Sequence, residues 1–223
     1  METGLSSRLR ERLSIPPPAR FSLARPERSA GFFARKPAEM AYDVNVATRT
    51  LMTVEEFEKL PDDCNLHELD EGELIVMPPP RPRHGMVQRA VAVALDRAVR
   101  KAGAGMVLTE CGFRLAPDVV QAPDVAFIRE ERRPEIAWDR YCEFGPDLAV
   151  EILSPEDNAA RLQRKISRYL AAGTAIVWVL DPDSVTVTAY QRHGAFRTST
   201  ADDWIEVPGL LPGFSIQVRA LFE

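Results

Sequence analysis

Cysteine, histidine and long apolar runs are all scarce in this chain. Its three cysteines, Cys64, Cys111 and Cys142, lie far apart and form no C-x-x-C pair. That speaks against a disulfide framework and a structural zinc site, and fits a reduced, cytoplasmic setting. The three histidines, His67, His84 and His193, make no H-x-H or H-E-x-x-H, which speaks against a zinc hydrolase. No apolar stretch approaches the roughly 20 residues that span a bilayer. The N-terminus has no continuous apolar run of the kind that secretory signals carry. G-x-S-x-G, Walker A and G-x-G-x-x-G motifs are missing, and so are internal repeats. Basic charge is not in excess either: 28 Lys and Arg face 33 Asp and Glu, a net of −5.

That balance is uneven. Residues 1–39 hold eight Arg or Lys against four Glu, a net of +4, which leaves −9 for the rest. The four glutamates also argue against an organelle transit peptide. An acidic body is not that of a tight, non-specific DNA binder, so any nucleic-acid contact has to come from local basic clusters. Residues 1–45, with Pro16-Pro17-Pro18 and few periodic apolar positions, read as a disordered tail. Met40 at its end is a candidate natural start. Residues 46–223, in a chain 45% hydrophobic, suffice for one sizeable core.

Order is expected from Thr53, where Thr53-Val-Glu-Glu56 fits a capping box. Leu66 to Met77 reads as a hairpin around Asp70-Glu71-Gly72. From His84 to Ala102, Val87, Val91, Ala94, Leu95 and Ala98 form a helical apolar stripe closed by Gly103 and Gly105. Strands follow at Met106–Leu115, Asp124–Ile128 and Asp147–Leu153. A helix from Asn158 to Ala172 stops at Gly173. Ala175–Leu180 is a near-continuous apolar strand, Val185–Tyr190 alternates, and a short strand lies at Trp204–Val207. The fold class is α/β or α+β: a mixed central sheet flanked by helices.

One strand poses a physical problem. Asp147-Leu-Ala-Val-Glu151-Ile-Leu should be buried, yet it carries a carboxylate near its middle. Burying an unpaired charge costs several kcal/mol or shifts its pKa, so Glu151 needs a partner. Alternation puts Asp147, Ala149, Glu151 and Leu153 on one face and Leu148, Val150 and Ile152 on the other. Asp124 opens an earlier strand, and Glu73 follows the hairpin turn. For Asp124 and Asp147 the plain reading is a strand-end charge reaching solvent. On the second helix Leu162, Ile166, Tyr169 and Leu170 form the core stripe, and Arg161, Arg164 and Arg168 form a basic one. Lys165 lies at their border. A solvated basic face is slightly favoured from spacing alone, but a long side chain there can deliver its ammonium to the sheet edge. Arg81, Arg83 and His84 could add to a phosphate-contacting patch. Cys111 reads as a buried structural thiol.

Two acids and a lysine suit phosphodiester hydrolysis. Carboxylates hold Mg²⁺ through oxygen, the ion activates water, and the lysine orients that water and offsets charge. Glycoside hydrolysis, the rival use of paired acids, needs no lysine.

With these residues in view, the sequence resembles the Uma-two family of restriction-endonuclease-like proteins, within the PD-(D/E)XK nuclease superfamily. The resemblance spans about Met52 to Phe222. It rests on an ordered set: Met52-Thr-Val-Glu-Glu-Phe57, His67-Glu-Leu-Asp-Glu-Gly-Glu-Leu74, Arg83-His-Gly85, Ala122-Pro-Asp-Val-Ala-Phe127, Pro146-Asp-Leu-Ala-Val-Glu-Ile-Leu-Ser-Pro155, Lys165 with Tyr169-Leu-Ala-Ala-Gly173, Val177-Trp-Val-Leu-Asp-Pro182 and Leu211-Pro-Gly-Phe214. It implies a restriction-endonuclease-like mixed sheet with a Mg²⁺ site at one end. Asp124 and Glu151 would be the metal-binding acids, Lys165 the catalytic lysine, and Glu73 an accessory acid, with Glu68 a second candidate for that role. Charge pattern, not the resemblance, offers Arg83, His84, Arg161, Arg164 and Arg168 as nucleic-acid contacts. The chain departs from the superfamily at Leu153, where the motif expects lysine; Lys165 on the following helix takes that place. The implied function is a Mg²⁺-dependent DNA endonuclease, and cutting both strands would favour a homodimer. The alternative is a nuclease-fold protein, weak or inactive in catalysis, that binds nucleic acid or a protein partner.

Overall fold

The computed structural model describes residues 51–223 apart from 62, 64 and 156. The expected tail and Met40 lie outside the described residues. The elements, in order, are α1 (Val54–Phe57), β1 (Leu66–Asp70), β2 (Glu73–Met77), α2 (Pro82–Ala102), β3 (Gly105–Thr109), β4 (Phe113–Ala116), β5 (Val119–Gln121), β6 (Val125–Arg129), β7 (Leu148–Ile152), α3 (Ala159–Ala171), β8 (Ile176–Asp181), β9 (Thr186–Gln191), β10 (Phe196–Ser199), β11 (Trp204–Glu206) and β12 (Ser215–Gln217).

A six-stranded mixed sheet runs β10-β9-β8-β7-β6-β3. Its one parallel pair, β7 with β8, is joined by α3, as parallel strands require a crossover. A four-stranded antiparallel sheet runs β2-β1-β5-β4, and β11 pairs with β12. Period-two alternation assigns the two faces of β7 as expected. Leu148, Val150 and Ile152 pack with Val87, Val91, Leu95 and Val99 of α2 and with the C-terminal segment, including Phe214 and Leu221. On the opposite face, Ala149 packs with Ile166 and Tyr169 of α3. Glu151 therefore lies under α3. A third cluster joins Val54 and Phe57 of α1 to Leu69 and Val120.

Local chemistry accounts for the element ends. Thr53 Oγ1 accepts from Glu56 N and the Glu56 carboxylate accepts from Thr53 N, the expected capping box. Asn158 caps α3 through Ala160 N and Arg161 N. Gly103 ends α2 in the left-handed region.

The expected single strand over Met106–Leu115 is two strands in two sheets. Glu110 adopts a positive φ of 54°, which turns the chain out of the six-stranded sheet, and β4 joins the smaller one. A glutamate in that conformation carries no sequence signal of a turn. Strands β5 and β10 were not anticipated, being only three and four residues long. Among the described residues no helix is long and apolar enough to cross a membrane.

Candidate active site

The site forms where the end of β7, the start of β6, the first two turns of α2 and the middle turns of α3 meet. Glu151 is buried, and both of its carboxylate oxygens are bonded. Lys165 Nζ donates to Oε2 at 2.7 Å, and Tyr169 Oη donates to Oε1 at 2.9 Å. Lys165 and Tyr169 are one turn apart on α3, so a single helix face supplies both donors. Lys165 Nζ also reaches Glu68 Oε1 at 2.9 Å, and its side chain is only 9% exposed. The solvated-face reading of Lys165 is thus corrected: its stem packs beside the core stripe and its ammonium lies between two buried carboxylates.

Glu68, on β1, is 1% exposed. Its Oε1 also accepts from Ala122 N at 3.1 Å, and its Oε2 from Arg161 at 2.7 Å. Glu73 stands opposite Asp70 on β2, two rungs along the hairpin from Glu68. The hairpin acid that bonds Lys165 is Glu68.

Asp124, immediately before β6, does not reach out to solvent as the plain reading had it. Its Oδ2 accepts from Ile152 N at 2.6 Å, which ties it to the residue after Glu151. Its Oδ1 lies 3.3 Å from His84 Nε2. Gln88, one turn further along α2, donates from Nε2 to the Asp124 carbonyl at 3.1 Å and to Glu110 Oε1 at 3.0 Å. Sequence reasoning overlooked Gln88. Its signal was the four-residue spacing from His84, on the border of a stripe read only for apolar residues. Tyr169 was assigned to the core alone, although its phenol carries a donor that burial obliges to find a partner. Asp147 is buried too, held by Arg129 through Nε at 2.8 Å and backbone N at 2.9 Å. Cys111 is half-buried rather than buried, and Cys142 is buried.

The electrostatics follow from burial. Desolvation pushes the Glu151 carboxyl up to about 7; Lys165 pulls it back, and the charges of Asp124 and Glu68 add to the rise. Desolvation works to lower the Lys165 ammonium, but Glu151 and Glu68 overcome it and hold the group above its ordinary range. Its hydrogen bond to Asp124 raises His84, against partial burial.

The arginines of α3 face the hairpin. Arg161 bonds Glu68, Arg168 bonds Asp70 and Glu71, and Arg164 lies 3.6 Å from Asp70. Arg83 bonds Asp183, at 2.6 Å, and the Pro182 carbonyl, bracing α2 against the turn after β8.

Asp124 and Glu151 offer hard oxygen donors on adjoining strands, and each carboxylate oxygen keeps a lone pair beyond its present bond. The charge of Asp124 also adds to the rise of the Glu151 carboxyl, so the two acids act on each other. Among the described residues no group of three or more His, Cys, Asp or Glu forms a metal cage. Such a pair fits a cation that takes one or two carboxylates and keeps water, as Mg²⁺ does, rather than zinc.

A mixed sheet with helices on both faces, and two acids and a lysine at one end of it, defines a protein of the restriction-endonuclease-like class. A family model described as "Putative restriction endonuclease", Uma2, matches residues 54–219, and the chain belongs to that family. Among solved structures, it is similar to one described as a "putative nuclease" from Anabaena variabilis, with 25% identity and a TM-score of 0.68, over 77% of this chain and 97% of that one. No curated protein matches.

Proposed function

We propose that this protein is a divalent-metal-dependent DNA endonuclease. Asp124 and Glu151 hold the ion, with Mg²⁺ the natural occupant, and Lys165 works beside them. The observation that carries this reading is the Lys165 Nζ to Glu151 Oε2 contact of 2.7 Å in a buried setting. A lysine from the next helix thereby stands beside the second acid, as the superfamily's chemistry requires. Family membership and the nuclease fold support it.

When bound, the ion supplies Lewis-acid polarisation of the phosphoryl oxygen and a water of lowered pKa. The residues of the chain do the rest. Glu151 and Glu68 favour the ammonium form of Lys165, and that cation orients the attacking water and offsets phosphate charge. Tyr169 and Lys165 fix the Glu151 rotamer from one helix face. Glu68 takes the accessory role that the sequence offered to Glu73 as well. Of the expected nucleic-acid contacts, Arg83 and Arg164 keep half-exposed guanidinium groups for phosphate.

The test is plasmid cleavage with Mg²⁺ and with EDTA. The parent is expected to nick or cut only with the ion. Asp124→Ala and Glu151→Ala should abolish activity in protein that still melts cooperatively, and Lys165→Met should lower kcat by about 10²–10⁴-fold. Cleavage that survives in both acid variants would overturn the proposal.

A further inference from the structure

The first two turns of α2 carry more chemistry than the proposed reaction has used. His84 and Gln88 are four residues apart, and both side chains close on Asp124. His84 takes the free carboxylate oxygen, Oδ1, while Gln88 takes the backbone carbonyl. The third hold is Ile152 N on Oδ2, so three donors from two elements converge on one aspartate. The His84 ring has no other anchor: its Nδ1 is buried without a hydrogen-bond partner among the described residues. Gln88 divides its amide between Asp124 and Glu110, whose left-handed backbone lies directly across the β3–β6 ladder, one residue beyond the Thr109–Val125 pair.

We propose that His84 and Gln88 are positioning residues for the metal site: they fix the carboxylate and the strand end of Asp124 in the pose that receives the ion. This rests on the assignment of Asp124 as a ligand given above. It also gives His84 a role other than direct phosphate contact. An aspartate at the mouth of a strand can swing about χ1 and its backbone can fray; the two bonds from α2 stop both motions. Groups that orient a metal ligand typically contribute 10–100-fold in metal affinity or activity, and that range is the size of effect expected.

Substitutions that delete the donors, His84→Leu and Gln88→Met, test this against His84→Gln, which keeps an N–H at similar reach. Mn²⁺ affinity is read by titration calorimetry on the full chain, and the Mg²⁺ concentration for half-maximal plasmid cleavage is read in parallel. His84→Leu and Gln88→Met should each weaken Mn²⁺ binding and raise the Mg²⁺ requirement by at least about tenfold. Their kcat at saturating Mg²⁺ should stay within about threefold of the parent, since the orienting effect is one of occupancy. His84→Gln should recover most of the lost affinity. Parent-like Mn²⁺ affinity in both deletion variants, with Asp124→Asn unable to bind, would overturn this proposal and leave the ligand assignment standing. Parent-like binding by Asp124→Asn would overturn the ligand assignment, and this proposal with it.

Discussion

Leu153 occupies the position where the superfamily motif would put a lysine, and on the proposed reading Lys165, twelve positions further on, serves in its place. That displacement is tolerated because the ammonium needs a location, not a place in sequence. Glu151 and Glu68 define the location by bonding it from two sides. The arrangement leaves Glu151 with a pH signature. Burial raises its carboxyl from an ordinary 4.5 to about 7. Between those values the folded chain keeps a proton that the unfolded chain has released. The stability this contributes is therefore fully present below pH 4.5 and is lost as pH rises through about 7. In EDTA, urea unfolding should show stability falling across that window, with a limiting slope of about 1.4 kcal/mol per pH unit for one proton. Glu151→Gln should flatten it; an unchanged slope in that variant would assign it elsewhere. How far these residues could be read from the sequence differs from one to the next. Glu151 announced itself, because a charge in an apolar alternating strand has few explanations. Lys165 did not, since a border position on a helical wheel is equally compatible with solvent and with the sheet. Gln88 was faint: only its four-residue spacing from His84 marked it, because an uncharged polar residue on an amphipathic helix carries no anomaly.

At the level of elements, α3 and the β1–β2 hairpin form one electrostatic unit. Arg161, Lys165 and Arg168 project from α3 at four- and three-residue intervals onto Glu68 and Asp70, which alternate along one face of β1. Both periodicities were visible in the sequence. Their meeting was not, because it depends on how the smaller sheet lies against α3, and that follows from the break at Glu110. The basic stripe that charge pattern offered to phosphate is thus largely spent within the fold. Its members should differ in what they hold. Glu68 is almost fully buried, so Arg161→Ala leaves a desolvated carboxylate with one bond fewer. A loss of about 2 kcal/mol is expected, below the 3–5 of a fully buried pair because Arg161 is 29% exposed. Arg164 is half-exposed and 3.6 Å from Asp70, so Arg164→Ala should cost under about 0.5 kcal/mol. Chemical denaturation of the two variants compares them directly, and equal losses would show that the hairpin is not held in this way.

For the whole molecule, charge sets the terms on which a polyanion can approach. Outside its first 39 residues the chain carries −9, and the candidate site adds two carboxylates at the point where a phosphate must arrive. With Arg161 and Arg168 of α3 turned inward, the cations left for backbone contact are spread thinly. Arg89, Arg97 and Lys101 on α2 are exposed and without an ion-pair partner among the described residues. A duplex meeting this surface is repelled at the site and only weakly held beyond it, unless a divalent ion neutralises Asp124 and Glu151. DNA binding should therefore depend on the ion even where no bond is cut. Gel-shift titrations of a short duplex in Ca²⁺, which occupies oxygen sites, are expected to give an affinity at least about tenfold tighter than in EDTA. The gain should vanish in an Asp124→Asn, Glu151→Gln double variant, which removes the repulsion and the cation site together. A shallow fall of log K with log salt, reporting only a few released counterions, should accompany binding in both conditions. Equal affinity in Ca²⁺ and in EDTA by the parent chain would favour a protein that holds nucleic acid away from this site.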